Sequence, residues 1–180
     1  MLVMIGASAS GKTEIAKILI IKYGFSKLVT YTTREMREGE VNGIDYHFIS
    51  IKEFERKKSK KEFLETAKYH NTFYGSPRKG ANEKKVIIVD PKGANSIFIK
   101  NIPKTIFIYL ETDQLIRRVR MLNRGDKLED VETRFKEDKV HFRKSRFKHL
   151  DHIVNTSSHS LEDLAETIYN LYIQDLKNQN

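Results

Sequence analysis

The stretch Gly6–Thr13 reads GASASGKT and matches the pattern G-x-x-x-x-G-K-[ST] at every fixed position. The apolar run Leu2–Ile5 immediately before it predicts a buried strand, and Thr13–Tyr23 has apolar residues at helical spacing. Between a strand and a helix, glycines let backbone N–H groups converge on phosphate oxygens, and the helix N-terminus adds positive potential. The stretch therefore predicts a phosphate-binding loop.

Two side chains of this loop have predicted roles toward a nucleoside triphosphate. The Lys12 ammonium is placed to reach the terminal phosphates, and the Thr13 hydroxyl is suited to ligate Mg²⁺. The motif alone does not separate a GTPase switch from an ATPase or a small-molecule kinase. The residues assigned to triphosphate binding are Gly6, Ala7, Ser8, Ala9, Ser10, Gly11, Lys12 and Thr13.

Short apolar runs alternate with helical patterns along much of the chain, which is typical of an α/β protein with a parallel sheet. Further buried strands are predicted at Val86–Val89, Thr105–Leu110 and His152–Asn155. Helices are predicted within Glu111–Leu122, over Val131–Phe147, and over Leu161–Leu176 with Ser160 as N-cap.

Residues 31–76 break this alternation, because they are rich in Thr, Tyr, Phe and Gly. We interpret them as an inserted β-rich lobe, with 1–30 and 77–180 forming the core domain. Asn42-Gly43 predicts a hairpin turn, and one or two helices are expected around Phe54–Lys68. The basic run Lys57–Lys61 is interpreted as a solvated corner between helices.

The composition narrows the possible classes of protein. A chain of 180 residues suggests one domain, and the absence of cysteine excludes disulfides, thiolate catalysis and cysteine-ligated zinc. No apolar run approaches the ~20 residues that span a bilayer, and the start lacks a signal-peptide pattern, so a cytoplasmic protein without a membrane partner is expected. The net charge of +9 favours an anionic partner, and small phosphorylated ligands are favoured over nucleic acid.

Asp90 ends the apolar run VIIV and has two compatible interpretations. A carboxylate at the end of a parallel strand is where such folds place an acid linked to Mg²⁺. The same side chain is also suited to cap a helix that begins with Pro91.

The inserted lobe contains groups suited to a second phosphorylated ligand. Arg34 and Arg37, within Tyr31–Phe48 (YTTREMREGEVNGIDYHF), are spaced to fork onto one phosphate, with the hydroxyls of Tyr46 and Tyr74 completing the cradle.

These segments resemble the guanylate kinase family, whose members phosphorylate GMP in purine nucleotide metabolism. The resemblance is carried by TTR-x-x-R-x-GE-x-(D/N)G-x-(D/E)Y-x-F, by FLE followed after eight residues by YGS, and by GASASGKT. It covers approximately residues 2–170. It implies a three-layer P-loop fold with a parallel core sheet, a GMP-binding lobe and a lid near 112–134. It also implies phosphoryl transfer from Mg-ATP to GMP, with Mg²⁺ as the cofactor.

The resemblance assigns a role to each matching position. Glu65 would accept the N1–H and 2-amino hydrogens of guanine, a pair of donors that adenine lacks. Thr13 and Asp90 would bind the metal, and Asp90 would do so either directly or through water. The implied GMP-binding residues are Thr30, Arg34, Arg37, Tyr46, Glu65, Tyr74, Ser76 and Asp90, and the implied catalytic residues are Lys12, Arg118, Arg124 and Arg134, the last three on the lid.

The chain departs from the family pattern in four places. Met36 replaces a proline between the two phosphate-binding arginines, and Ile88 stands where a second aspartate is common. The connection from Ser76 to Lys85 is too short for the helix usually found there. The approach to the lid is about two residues longer than usual, and the lid is one residue shorter.

The sequence is also compatible with three other functions. The chain would also suit a guanylate-kinase-like binding module that has lost catalysis, which Ile88 faintly favours. A kinase on the same scaffold with another phosphorylated acceptor is a second possibility. The third is a nucleic-acid-associated P-loop protein, suggested by the basic stretch Lys136–Lys148.

Overall fold

The computed structural model describes residues 1–69 and 72–179 and contains two β-sheets with helices packed against them. Nine strands lie in the described ranges: β1 (Leu2–Gly6), β2 (Ser26–Lys27), β3 (Tyr31–Thr32), β4 (His47–Phe48), β5 (Phe63–Tyr69), β6 (Thr72–Pro77), β7 (Lys85–Ile88), β8 (Ile106–Glu111) and β9 (His152–Asn155). The α-helices of the same ranges are α1 (Lys12–Tyr23), α2 (Ile51–Ser59), α3 (Pro91–Ile99), α4 (Gln114–Asn123), α5 (Leu128–His141) and α6 (Leu161–Asn178).

The larger sheet is parallel, with the spatial order β2-β7-β1-β8-β9. The side chains of its central strand alternate between two apolar layers. Leu2 and Met4 pack with α1 and α6 on one face, whereas Val3 and Ile5 pack with α3 on the other. Burying each such side chain contributes about 1.5–3 kcal/mol. The fold is therefore a three-layer α/β/α fold with a parallel core sheet, as predicted.

The smaller sheet has the order β4-β3-β6-β5 and is built from the predicted inserted lobe. β3 runs parallel to β4 and antiparallel to β6, which pairs with β5. The fully buried Phe54 of α2 stacks on Phe63 and Phe73, with ring centroids 4.8 and 5.4 Å away. These rings hold α2 against one face of the sheet.

Several local predictions are confirmed by this arrangement. The four predicted buried strands coincide with β1, β7, β8 and β9 to within one residue at each end. The N-cap of α6 is Ser160, whose side chain accepts a hydrogen bond from Asp163 N at 3.1 Å. Between Ser76 and Lys85 the described chain contains no helix, as its short length predicts.

The predicted helix over Val131–Phe147 is wrong in its extent. α5 ends at His141, and a short 3₁₀ turn follows at Lys144–Arg146. The Tyr109 hydroxyl donates to the Phe142 carbonyl at 3.2 Å, and the rings of Tyr109 and Phe147 lie 5.4 Å apart. Because both phenylalanines pack into the apolar layer beside α3, the chain turns between them.

Two predictions within the inserted lobe are also corrected. Of the one or two helices expected around Phe54–Lys68, α2 is present and a second is not, since residues 63–68 belong to β5, which pairs with β6. The run Lys57–Lys61 is thus a corner between a helix and a strand. Asn42-Gly43 is not a hairpin turn, because Asn42 bridges Tyr46 in the parallel sense.

In the described residues, no helix is long and apolar enough to cross a membrane.

Candidate active site

The phosphate-binding loop connects the carboxyl end of β1 to α1 and depends on two glycines. A Cβ atom on Gly6 would lie 2.6 Å from Ser10 Oγ and 2.8 Å from the Leu110 carbonyl oxygen. Gly11 has a φ of +94°, in the left-handed region that favours glycine. Gly6 lets the loop pack tightly against β8, and Gly11 allows the turn from which α1 begins.

The Lys12 side chain folds back over this loop. Its ammonium donates to the carbonyl oxygens of Gly6 and Ala7, both at 2.7 Å, and to Ser10 Oγ at 3.2 Å. Burial lowers the pKa of Lys12 to about 8, while the negative charge of Asp138 acts in the opposite direction. The Lys12 ammonium is therefore held at the loop, and its pKa of about 8 is close to neutral pH.

A cavity of about 620 Å³, here called the loop cleft, opens beside the loop. It is lined by residues 9–14 of the loop and α1, together with Arg120, Arg124 and Leu161. The Arg120 guanidinium donates to the carbonyl oxygens of Ala9 at 3.3 Å and Thr156 at 3.1 Å. Arg120 was not among the residues selected from the sequence, although it belongs to the same arginine-rich helix.

A second cavity of about 350 Å³, here called the Glu65 pocket, lies where the lobe meets the carboxyl end of β7. It brings together six of the eight residues predicted to hold the second nucleotide. These six are Thr30, Tyr46, Glu65, Tyr74, Ser76 and Asp90. Ile88 also lines this pocket and is 39% exposed, so it presents an apolar surface where the family pattern has an acid.

Glu65 and Ser76 face each other across the β5–β6 pair, where they are directly opposed. The Ser76 hydroxyl donates to the Glu65 carboxylate. Burial raises the pKa of Glu65, and the hydrogen bond from Ser76 acts against this increase. The pocket thus holds a largely desolvated carboxyl group with its position set by a neighbouring hydroxyl.

Asp90 serves as the N-cap of α3, as one of its two interpretations predicted. Its carboxylate accepts a hydrogen bond from Gly93 N at 2.7 Å. A Cβ atom on Gly93 would lie 3.2 Å from that carboxylate oxygen and 3.5 Å from Glu65 Cγ. A glycine at this position lets the start of α3 approach the Glu65 pocket closely.

Arg34 and Arg37 are organised by a carboxylate that the sequence interpretation did not select. Arg34 Nη2 lies 2.5 Å from Glu40 Oε1, while the Arg37 backbone N–H donates to Glu40 Oε2 at 2.8 Å. The Arg34 guanidinium lies 5.6 Å from the ring centroids of both Tyr46 and Phe48. The turn between the arginines is held by Glu40, and Met36 within it is 55% exposed.

The three predicted lid arginines are distributed over α4, α5 and their connection. Arg118 pairs with Glu132 at 2.8 Å, and Arg124 Nε donates to Asp126 at 3.0 Å. Arg134 lies 4.0 Å from the same aspartate. Of the three, Arg124 is the one that lines the loop cleft.

Two buried residues beside the loop were also missed in the sequence. Asp138 accepts a hydrogen bond from Ser8 N at 3.0 Å and pairs with Arg117 at 2.9 Å. Because Ser8 and Asp138 are 130 residues apart, no local pattern brings them together.

A phosphate-binding loop with a cavity beside it, and a second cavity lined by polar groups nearby, define a P-loop nucleotide kinase. A sequence model of the guanylate kinase family matches residues 1–171, and the chain belongs to that family.

Individual relatives agree with this membership. The guanylate kinase of Clostridium acetobutylicum is 31% identical over 176 residues, covering 92% of this chain and 79% of its own. That of Helicobacter pylori is 37% identical over 145 residues, covering 74% and 69%. The crystal structure of guanylate kinase from Anaplasma phagocytophilum has the same fold, with a TM-score of 0.66 and 24% identity, covering 98% of this chain and 85% of its own.

Proposed function

We propose that this chain is a guanylate kinase that transfers the terminal phosphoryl group of ATP to GMP. The observation that carries the proposal is the half-buried Glu65 carboxyl group beside Ser76 in the second cavity. A carboxylate accepts the adjacent N1–H and 2-amino hydrogens of guanine, whereas adenine offers no such pair. The other assigned residues of the pocket then surround one GMP molecule.

The donor nucleotide is assigned to the loop cleft, with its phosphates on the backbone N–H groups of the loop and the start of α1. Lys12 and Arg124 supply positive charge there, and closure of the lid would add Arg118 and Arg134. Phosphoryl transfer requires an in-line arrangement and charge stabilisation, with no protein nucleophile. Exclusion of water by lid closure would suppress hydrolysis of ATP.

In this proposal, Mg²⁺ binds together with ATP. In the described residues no group of three acidic, histidine or cysteine side chains could hold a metal ion. The Thr13 hydroxyl lines the loop cleft, where an oxygen donor fits Mg²⁺ that is completed by nucleotide phosphates and water, whereas Asp90 lines the Glu65 pocket. When bound, the ion neutralises charge on the donor phosphates.

Arg34→Ala and Arg37→Ala are each expected to weaken GMP binding by roughly 10–150-fold, because each removes a charge-assisted hydrogen bond to the phosphate. Guanosine, which has no phosphate, is expected to bind with little change. Calorimetric titration of both ligands measures the two effects.

Arg37→Ala is the cleaner of these variants, since its backbone N–H to Glu40 remains while Arg34→Ala also breaks an ion pair. Arg56→Ala, which removes an exposed arginine from α2 of the same lobe, serves as the matched control. Equal losses for GMP and guanosine would show that the two arginines act on the structure of the lobe instead.

A coupled assay of ADP release tests the reaction itself. With Mg-ATP and GMP together, we expect turnover that depends on both nucleotides. Binding of GMP without ADP release would contradict the proposal and identify a binding module.

A further inference from the structure

A buried ion pair joins the lid helices to the phosphate-binding loop. Arg117 on α4 and Asp138 on α5 are 9% and 8% exposed, and Arg117 Nη2 lies 2.9 Å from Asp138 Oδ2. The same carboxylate oxygen accepts the Ser8 backbone N–H at 3.0 Å, and Asp138 Oδ1 lies 3.5 Å from Ser8 Oγ. One carboxylate therefore holds both helices and the loop.

Stability alone is a weak explanation for this pair. Burying two charges costs desolvation energy that their attraction often fails to recover. In the described part of the chain, the buried Arg117 Nε atom also has no hydrogen-bond partner. The hydrogen bonds of Asp138 to Ser8 in the loop suggest instead that the pair serves to hold the loop.

Neighbouring contacts bring α4 and α5 to the same loop. The Arg117 guanidinium lies 4.9 Å from the Phe135 ring centroid, which packs α4 onto α5. One turn further along α4, Arg120 donates to the Ala9 carbonyl oxygen. The loop is thus held at the Ser8 N–H by the Asp138 carboxylate and at the Ala9 carbonyl oxygen by the Arg120 guanidinium.

We propose that Arg117 and Asp138 are positioning residues that fix the conformation of the phosphate-binding loop relative to the lid helices. This inference rests on the proposed function, since the activity affected is phosphoryl transfer from ATP.

Three variants separate positioning from folding. Asp138→Asn and Arg117→Met each remove one charge, and the double variant Arg117→Met/Asp138→Leu replaces the pair by apolar side chains. Since such replacement of a buried pair is often neutral or stabilising, the double variant is expected to fold as stably as the wild type. Asp175→Asn, which removes the carboxylate charge 2.6 Å from His152 Nε2, is the control.

The measurements are kcat/KM for ATP, the KM for each nucleotide and the thermal midpoint. We expect Asp138→Asn and Arg117→Met each to lower kcat/KM for ATP, because each weakens the link between the loop and the lid helices. In the double variant, kcat/KM for ATP should fall about 10–100-fold with an unchanged KM for GMP, because a misplaced loop affects the donor side. The control should show none of these effects.

A double variant with wild-type kinetics would overturn the inference. Titration of each variant with Mg-ATP applies the same test without an acceptor. Failure of the wild type to phosphorylate GMP would instead contradict the proposed function, and the titration would still decide whether the pair positions the loop.

Discussion

Lys12→Ala is expected to lower kcat by at least about 10²–10³-fold, the loss typical of removing one group that stabilises transition-state charge. The Lys12 ammonium is held at the loop by the carbonyl oxygens of Gly6 and Ala7. In the proposed reaction, charge is redistributed between the donor and acceptor phosphates beside this loop. Steady-state kinetics with Mg-ATP and GMP measures the loss.

GMP binding should survive this substitution, since the Glu65 pocket does not include Lys12. Lys22→Ala removes an exposed lysine from the same helix and should have wild-type activity. Full activity in Lys12→Ala would show that the loop is not part of the catalytic site.

Glu65→Gln is expected to raise the KM for GMP by roughly one to two orders of magnitude, with little change in the KM for ATP. Glutamine keeps one acceptor oxygen but places an NH₂ group against one of the two guanine donors. A buried donor left without a partner costs about 1–3 kcal/mol, and loss of the charge adds to that cost. The preference for GMP over AMP should decrease accordingly.

Glu62→Gln is the matched control, because Glu62 lies just before β5 and pairs with Lys57 at 3.0 Å. Measuring kcat/KM for GMP and AMP in both variants and the wild type compares the two positions. An unchanged ratio in Glu65→Gln would exclude Glu65 from recognition of the base.

The core of the fold was predictable because its signals are local. The loop motif, the apolar strand runs and the Ser160 cap each lie within a short stretch of sequence, and the structure has all three where predicted. Each of these signals can be recognised from residues that are neighbours in sequence, although the strands themselves pair with distant strands.

The errors arose where distant contacts override local preference. Residues 63–68 lie in a stretch expected to contain one or two helices, but they pair with β6, which places Glu65 opposite Ser76. The Arg117–Asp138 pair reaches Ser8 across 130 residues of sequence. Glu40, which organises Arg34 and Arg37, was visible within the motif, but its role became apparent only from the geometry of the turn.

The most direct test of the account is a comparison of AMP, GMP, CMP, UMP and IMP as acceptors with Mg-ATP. We predict the highest kcat/KM for GMP, with lower values for IMP, which lacks the 2-amino group, and for AMP. Equal kcat/KM values for GMP and AMP, or a higher value for any other acceptor, would contradict it.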